Sequence, residues 1–331
     1  MQACDRLELT LSDLASAGRF RGAVRVERGG SVLLDASYGD DGAGTVLAPT
    51  TAFQIASISK TFTAACVLLL AERNRLSLDD TLASSVEGAP VAWRDITVRQ
   101  LLTHTSGLGH WRDIAGLDLY HACPSAELIA RFAAAALQFE PGSGWSYSSP
   151  GYVLLAHIVE ASTGVPYASF LRSDLLRPLK LRQTSVAEPP DGAAAAHGSR
   201  AGAPTRSFEL GSVGIGAGDL WSTTADLARW PRALASSGLF SAESRAAIFS
   251  RQTEVSDEQD GFTNVGYGYG WFTACCDGQR LVFHPGDQPG FTSLLVWAPE
   301  PDLLIALLAA DEIDLRPLVL PALTDLLAET T

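Results

Sequence analysis

The sequence predicts an α+β fold. Both chain ends contribute to one antiparallel sheet, terminal helices flank it, and an all-helical lobe is inserted between. Two observations carry this. Strand-like patterns occur near the N-terminus and again in the last third, whereas the middle is helical pattern broken by Gly and Pro. Helical segments also open and close the chain, where they can cover a sheet made from its two ends. At 331 residues the chain suits one catalytic domain, 1–331. Its two lobes are an α/β lobe of about 1–78 and 207–331 and a helical lobe of about 79–206.

Leu7–Ala17 reads as an amphipathic helix. Gly22–Glu27 and Ser31–Ser37, separated by Arg28-Gly29-Gly30, read as a hairpin. Gln54–Arg75 is a long helical pattern whose middle, Ala64–Leu70, is apolar all round and therefore expected inside. Ser125–Leu137 and Gly151–Ser162 are the clearest helices of the insert, and Ala187–Arg206, rich in Ala, Gly and Pro, reads as a loop. Thr224–Ser236 is another helix, with Asp226 in its first turn. Short strands follow at Gly268–Phe272, Arg280–His284, Thr292–Ala298 and Leu303–Leu308, then a last helix at about Leu315–Ala328. The cleft between the lobes is the expected site.

A formal charge of −13 leaves no basic face for phosphates, so nucleic acid and anionic membranes are poor partners. The first twenty residues carry Asp5, Arg6, Glu8 and Asp13 and no apolar core, which is not a signal peptide. The longest apolar runs, Ala64–Leu70 and Leu303–Ala310, are too short to span a membrane. A cytoplasmic protein is the expectation. Five cysteines, two of them adjacent, form neither a disulfide framework nor a CxxC pair.

Arginine outnumbers lysine 22 to 2, so each lysine raises a question. One of them, Lys60, ends Ser57-Ile58-Ser59-Lys60, an S-x-x-K at the start of the apolar helix. Residues i and i+3 share a helical face, so the two side chains can meet. A serine needs a base to become a nucleophile, and a buried lysine can lose its proton where an arginine cannot. Tyr147-Ser148-Ser149-Pro150-Gly151 precedes another apolar helix, and a phenol held there could shuttle protons. His284-Pro285-Gly286-Asp287 ends a strand; Gly286 allows close backbone approach, the next N–H can donate to an oxyanion, and His284 can supply a hydrogen bond or charge. Each motif also has a plain structural reading: a capped helix start, a packing tyrosine, a strand-end turn.

Taken together, their order resembles the serine β-lactamase and penicillin-recognising superfamily, in the branch of class C β-lactamases, D-alanyl-D-alanine carboxypeptidases and esterases. Ile96–Leu108, Tyr147–Glu160, Gly216–Trp230, Gly266–Phe272 and His284–Phe291 extend the likeness from about Leu7 to Leu327. The resemblance implies a β-lactamase/transpeptidase-like fold and a covalent acyl-enzyme. Ser57 would match the nucleophile, Lys60 its base partner and Tyr147 the proton shuttle. His284 would stand where lactamases carry the lysine of K-T-G. The backbone N–H groups of Ser57 and Asp287 would form the oxyanion hole. Ser149 replaces the asparagine that class C lactamases use for the substrate amide, and His-Pro-Gly lacks the hydroxyl of K-T-G. Both departures, like the missing export signal, favour an ester or an unusual acyl donor.

Trp111, Trp145, Trp221 and Phe291 fall in loops expected around the cleft, where they would line an apolar acyl pocket. His104, His110 and His121 with Asp113 and Asp118 match no standard metal spacing, and no metal or cofactor is expected. No G-x-S-x-G is present, which excludes an α/β-hydrolase elbow. The expected activity is hydrolysis of a small ester or amide through Ser57. An acyltransferase of the same fold is the alternative, and a β-lactamase, a D-peptidase or a non-catalytic binding homologue lies further off.

Overall fold

The computed structural model describes residues 3–86, 89–236, 238–259 and 261–329. Its centre is an eight-stranded antiparallel sheet. The strands are β1 (Gly22–Arg28), β2 (Ser31–Tyr38), β3 (Thr253–Gln259), β4 (Phe262–Tyr267), β5 (Phe272–Cys276), β6 (Gln279–Gln288), β7 (Phe291–Ala298) and β8 (Leu303–Ala309), in spatial order β2-β1-β8-β7-β6-β5-β4-β3. The two chain ends meet at the β1–β8 pairing, Gly22 opposite Ala309 and Arg28 opposite Leu303. Gly29 and Gly30, at φ +55° and +77°, supply the two left-handed residues that a tight β1–β2 turn requires.

Every residue of β8 is buried, as a sheet covered on both faces demands. Leu303, Ile305 and Leu307 face one core with α1 (Ala3–Ser16) and the last helix, Arg316–Ala328. Leu304, Ala306 and Leu308 face the other, with α2 (Ser59–Glu72) and the inserted helices. Ser59 through Leu70 are all buried, so α2 is enclosed all round, as its apolar middle predicts. Further along, α3 (Ser149–Thr163) packs on α2. The Ser148 hydroxyl caps α3 by accepting from the Gly151 N–H, and Gly164 ends it at φ +75°.

The structure departs from the expected elements in several places. The helical pattern from Gln54 begins instead as a strand: Phe53 and Gln54 pair with Ser222 and Trp221, and a 3-10 turn, Ala56–Ile58, comes before α2. The insert holds helices together with three short strands: Ser185–Val186 pairs with Trp221 and Leu220, and Ser199–Arg200 pairs with Ala203–Pro204. Gly268–Trp271 forms the turn between β4 and β5, where Gly270 takes φ +81° and a side chain on it would run into Ala64 Cβ and the Lys60 carbonyl. Finally, β6 runs on through His284-Pro285-Gly286-Asp287. Beyond Phe283 it has no pairing to β5, so a proline is tolerated there. Among the described residues no helix is long and apolar enough to cross a membrane.

Candidate active site

Ser57 sits in the 3-10 turn between the small strand and α2, where the first N–H groups of the helix lack helical partners. The turn is pinned from three sides. The Ile55 N–H donates to the Leu220 carbonyl (2.9 Å), the Ser293 hydroxyl donates to the Ile55 carbonyl (2.8 Å), and the Leu220 N–H donates to the Ser59 hydroxyl (3.1 Å). These contacts hold Ala56 at φ +47°, a strained conformation for alanine, one residue before Ser57. From the opposite side Gly286 of β6 presses on the same turn, with room for no side chain. A methyl there would strike the Ile55 carbonyl and the Ser293 hydroxyl.

One helical turn after Ser57, Lys60 is fully buried. Its amine lies 3.1 Å from Ser57 Oγ and donates to the Ala217 carbonyl over 2.7 Å. Burial lowers its pKa to about 7, against the opposing pull of the Asp219 carboxylate. A neutral amine is therefore available near neutral pH. The Lys60 amine also lies 4.9 Å from the centre of the Tyr147 ring.

The Tyr147 hydroxyl is buried and makes no well-formed hydrogen bond among the described residues. Burial raises its pKa, and the neighbouring Ser57 hydroxyl partly offsets this. Two histidines set aside as metal ligands hold this segment. The Ser148 N–H donates to His104 Nδ1 (3.1 Å) and the Ser149 N–H to His110 Nδ1 (3.4 Å). Both rings are neutral, His104 with its pKa far below the usual value and His110 at about 4, chiefly through burial. Among the described residues no group of three metal-ligating side chains converges.

A cavity of about 610 Å³ opens onto Ser57, walled by Tyr147, Trp145, Phe272, Pro285, His110, Asp287 and Glu258 among others. A narrower crevice beside it is lined by Ser57, Trp111 and Ser149. Trp111, Trp145 and Ser149 thus stand around the serine. Trp221 and Phe291 do not. They pack edge-to-face on each other, 5.7 Å between ring centres, and the Trp221 indole donates to the Ala187 carbonyl, because the register of Leu220–Ser222 turns Trp221 toward β7.

His284 is also outside the cavity wall. It is fully buried, with Nδ1 2.6 Å from the Pro285 carbonyl and Nε2 3.2 Å from the Tyr267 hydroxyl. Nδ1 carries the proton given to the carbonyl, so Nε2 accepts from Tyr267. Burial and nearby Lys60 push its pKa to about 3. His284 is thus a neutral support behind Tyr147, with no exposed edge and no charge to offer a ligand.

Sequence reasoning passed over Asp219. It lies in the Gly216–Trp230 stretch, fully buried, and burial raises its carboxyl to about 7 against backbone N–H groups and Lys60. An acidic residue set between small and apolar neighbours, Gly216-Ala217-Gly218-Asp219-Leu220-Trp221, was the available signal.

A model of the family described as Beta-lactamase matches residues 7–327. The chain belongs to the beta-lactamase family. Within this family it is 30% identical over 313 residues to Penicillin-binding protein 4* of Bacillus subtilis, covering 88% of this chain and 68% of that protein. It is likewise 30% identical over 320 residues to Esterase EstB of Burkholderia gladioli, covering 82% and 80%. A D-stereospecific amidohydrolase from a Streptomyces species superposes with a TM-score of 0.78 at 25% identity, covering 93% of this chain and 94% of that one. Membership in the beta-lactamase family, with esterase and amidase relatives, makes this chain an enzyme of the serine-hydrolase type.

Proposed function

We propose that the protein cleaves a small-molecule ester or amide through a covalent acyl-enzyme on Ser57. The observation that carries this is the buried amine of Lys60, 3.1 Å from the serine oxygen and with its pKa lowered to about 7 by burial. The amine takes the hydroxyl proton as Oγ attacks the acyl carbon. The resulting oxyanion is stabilised by the backbone N–H groups of Ser57 and Asp287, which the close approach of Gly286 to the serine turn brings near each other. Tyr147, beside both Ser57 and Lys60, passes the proton on to the leaving alcohol or amine as its bond to the acyl carbon breaks. Water then enters, loses a proton to the same pair, and releases the acid and free Ser57.

His284 enters this scheme as a positioning residue, since its ring reaches no open space. The test is intact mass after mixing with activated acyl donors and a fluorophosphonate, followed by peptide mapping. One adduct on Ser57, absent from Ser57→Ala together with all p-nitrophenyl ester turnover, is the expected result. Turnover by Ser57→Ala at the wild-type rate would refute the assignment.

A further inference from the structure

The charges around the cavity point to a class of substrate. Among the described residues lining it are two carboxylate side chains, Asp287 and Glu258, and no arginine or lysine. Lys60 lies behind this wall, fully buried and committed to Ser57 and Ala217. The guanidinium that bears on Asp287, that of Arg200, is held by Glu312 at 2.8 Å, and Glu312 itself adds negative charge beside Asp287. His110, the remaining titratable group in the wall besides Tyr147, is neutral above about pH 4. His284, which could have supplied a cation, is buried and neutral.

The wall also carries the aromatic side chains of Tyr147, Trp145 and Phe272 beside Val255 and Pro285. Tyr147 stacks on Phe272, with planes 12° apart, and Trp145 meets Phe272 edge-on at 6.4 Å. Aromatic faces and carboxylates both attract an organic cation, while a carboxylate ligand would meet like charge with no counter-ion to receive it. We propose that the site takes acyl donors that are cationic or uncharged, with an apolar body, and rejects donors bearing a free carboxylate. This rests on Ser57 acyl chemistry and adds a charge preference to it.

The experiment compares kcat/KM for p-nitrophenyl esters of trimethylammoniobutanoate, dimethylhexanoate and adipate, near-isosteric donors of charge +1, 0 and −1 with one leaving group. A second series puts the same three charges on the leaving thiol of thioesters. The expected order is cationic, neutral, anionic. The cationic donor exceeds the anionic one by about tenfold or more at low salt, and added salt narrows the gap. Glu258→Gln shrinks the cation-to-anion ratio by slowing the cationic donor relative to the anionic one. Equal rates for the three charges in both series, or an anionic donor that is fastest in either, would overturn the charge preference while leaving Ser57 chemistry intact. Loss of all turnover and all Ser57 labelling in the wild-type protein would bring down the acyl-enzyme reading, and this one with it.

Discussion

Lys60 and Asp219 are both sealed from solvent, and each shifts the proton affinity of the other: the carboxylate holds the amine up, the amine holds the carboxyl down. They reach the same place from distant parts of the chain. The Gly216–Leu220 segment lies along the first turn of α2, with Gly216 O bound by Thr63, Ala217 O by Lys60, and the Leu220 N–H by Ser59. Asp219 is therefore built into the strand of contacts that holds the base.

From this follows a pH dependence. The base acts in its neutral form, so kcat/KM for an uncharged ester falls as pH drops through about 7. In Asp219→Asn the negative charge that favours the ammonium is gone, so this acid limb moves to lower pH. The plateau loses less than the roughly 10²-fold that removing a general base costs. The other titratable groups facing Asp219 are Tyr167 and Cys66, both raised well above their usual values and silent in this range. Those facing Lys60 are Tyr147, Tyr152 and the neutral His104, His110 and His284. A pH–rate profile of both proteins, with melting curves to confirm folding, decides the matter. A limb that stays put or moves up would refute the coupling.

The Ser57–Lys60 spacing and the apolar runs were legible because those signals are local, whereas the joining of Tyr147 to them rested on the family resemblance of the motifs taken together. One helical turn fixes the Ser–Lys pair, and alternating or all-apolar runs mark the buried strands. Asp219 and His110 were not, since what they do depends on partners far away in sequence, Lys60 for one and the Ser149 N–H for the other. Trp221 and Phe291 looked like pocket residues because an aromatic in a loop carries no sign of its direction; register decides it. Thr253–Gln259 escaped notice as a strand because an edge strand this polar has no apolar alternation to read.

Gly286 sets the distance between β6 and the serine turn. Gly286→Ala places a methyl against the Ile55 carbonyl and the Ser293 hydroxyl, and also 3.1 Å from Ala56 Cβ, so one side must give way. Overpacking of this kind destabilises by about 1–3 kcal/mol. The displaced turn carries the nucleophile, and loss of alignment lowers kcat/KM by a factor on the order of 10–100. Gly238→Ala, where a methyl meets open space, is the control. Unaltered ester kinetics in Gly286→Ala would show that the strand does not set the site.

The three neutral histidines make the protein sensitive to acid. In His284 the folded pKa is depressed to about 3, whereas an unfolded histidine takes a proton near 6.5. Its contribution is therefore complete above pH 6.5 and is lost as pH falls toward 3, to a limit of about 5 kcal/mol. His104 and His110 act in the same direction. Asp219, raised to about 7, acts in the other direction, as do the raised carboxyls of Asp226 and Asp287, whereas the lowered carboxyls of Glu160, Asp174 and Glu209 act with the imidazoles. Urea unfolding midpoints are thus expected to decline steadily from pH 6.5 to 4. His284→Gln keeps an amide within reach of Tyr267 and removes one titrating ring, so its midpoint should vary less over that interval. A wild-type midpoint that holds level to pH 4 would mean that the rings are already protonated in the folded state, and that the neutral support behind Tyr147 is wrongly assigned.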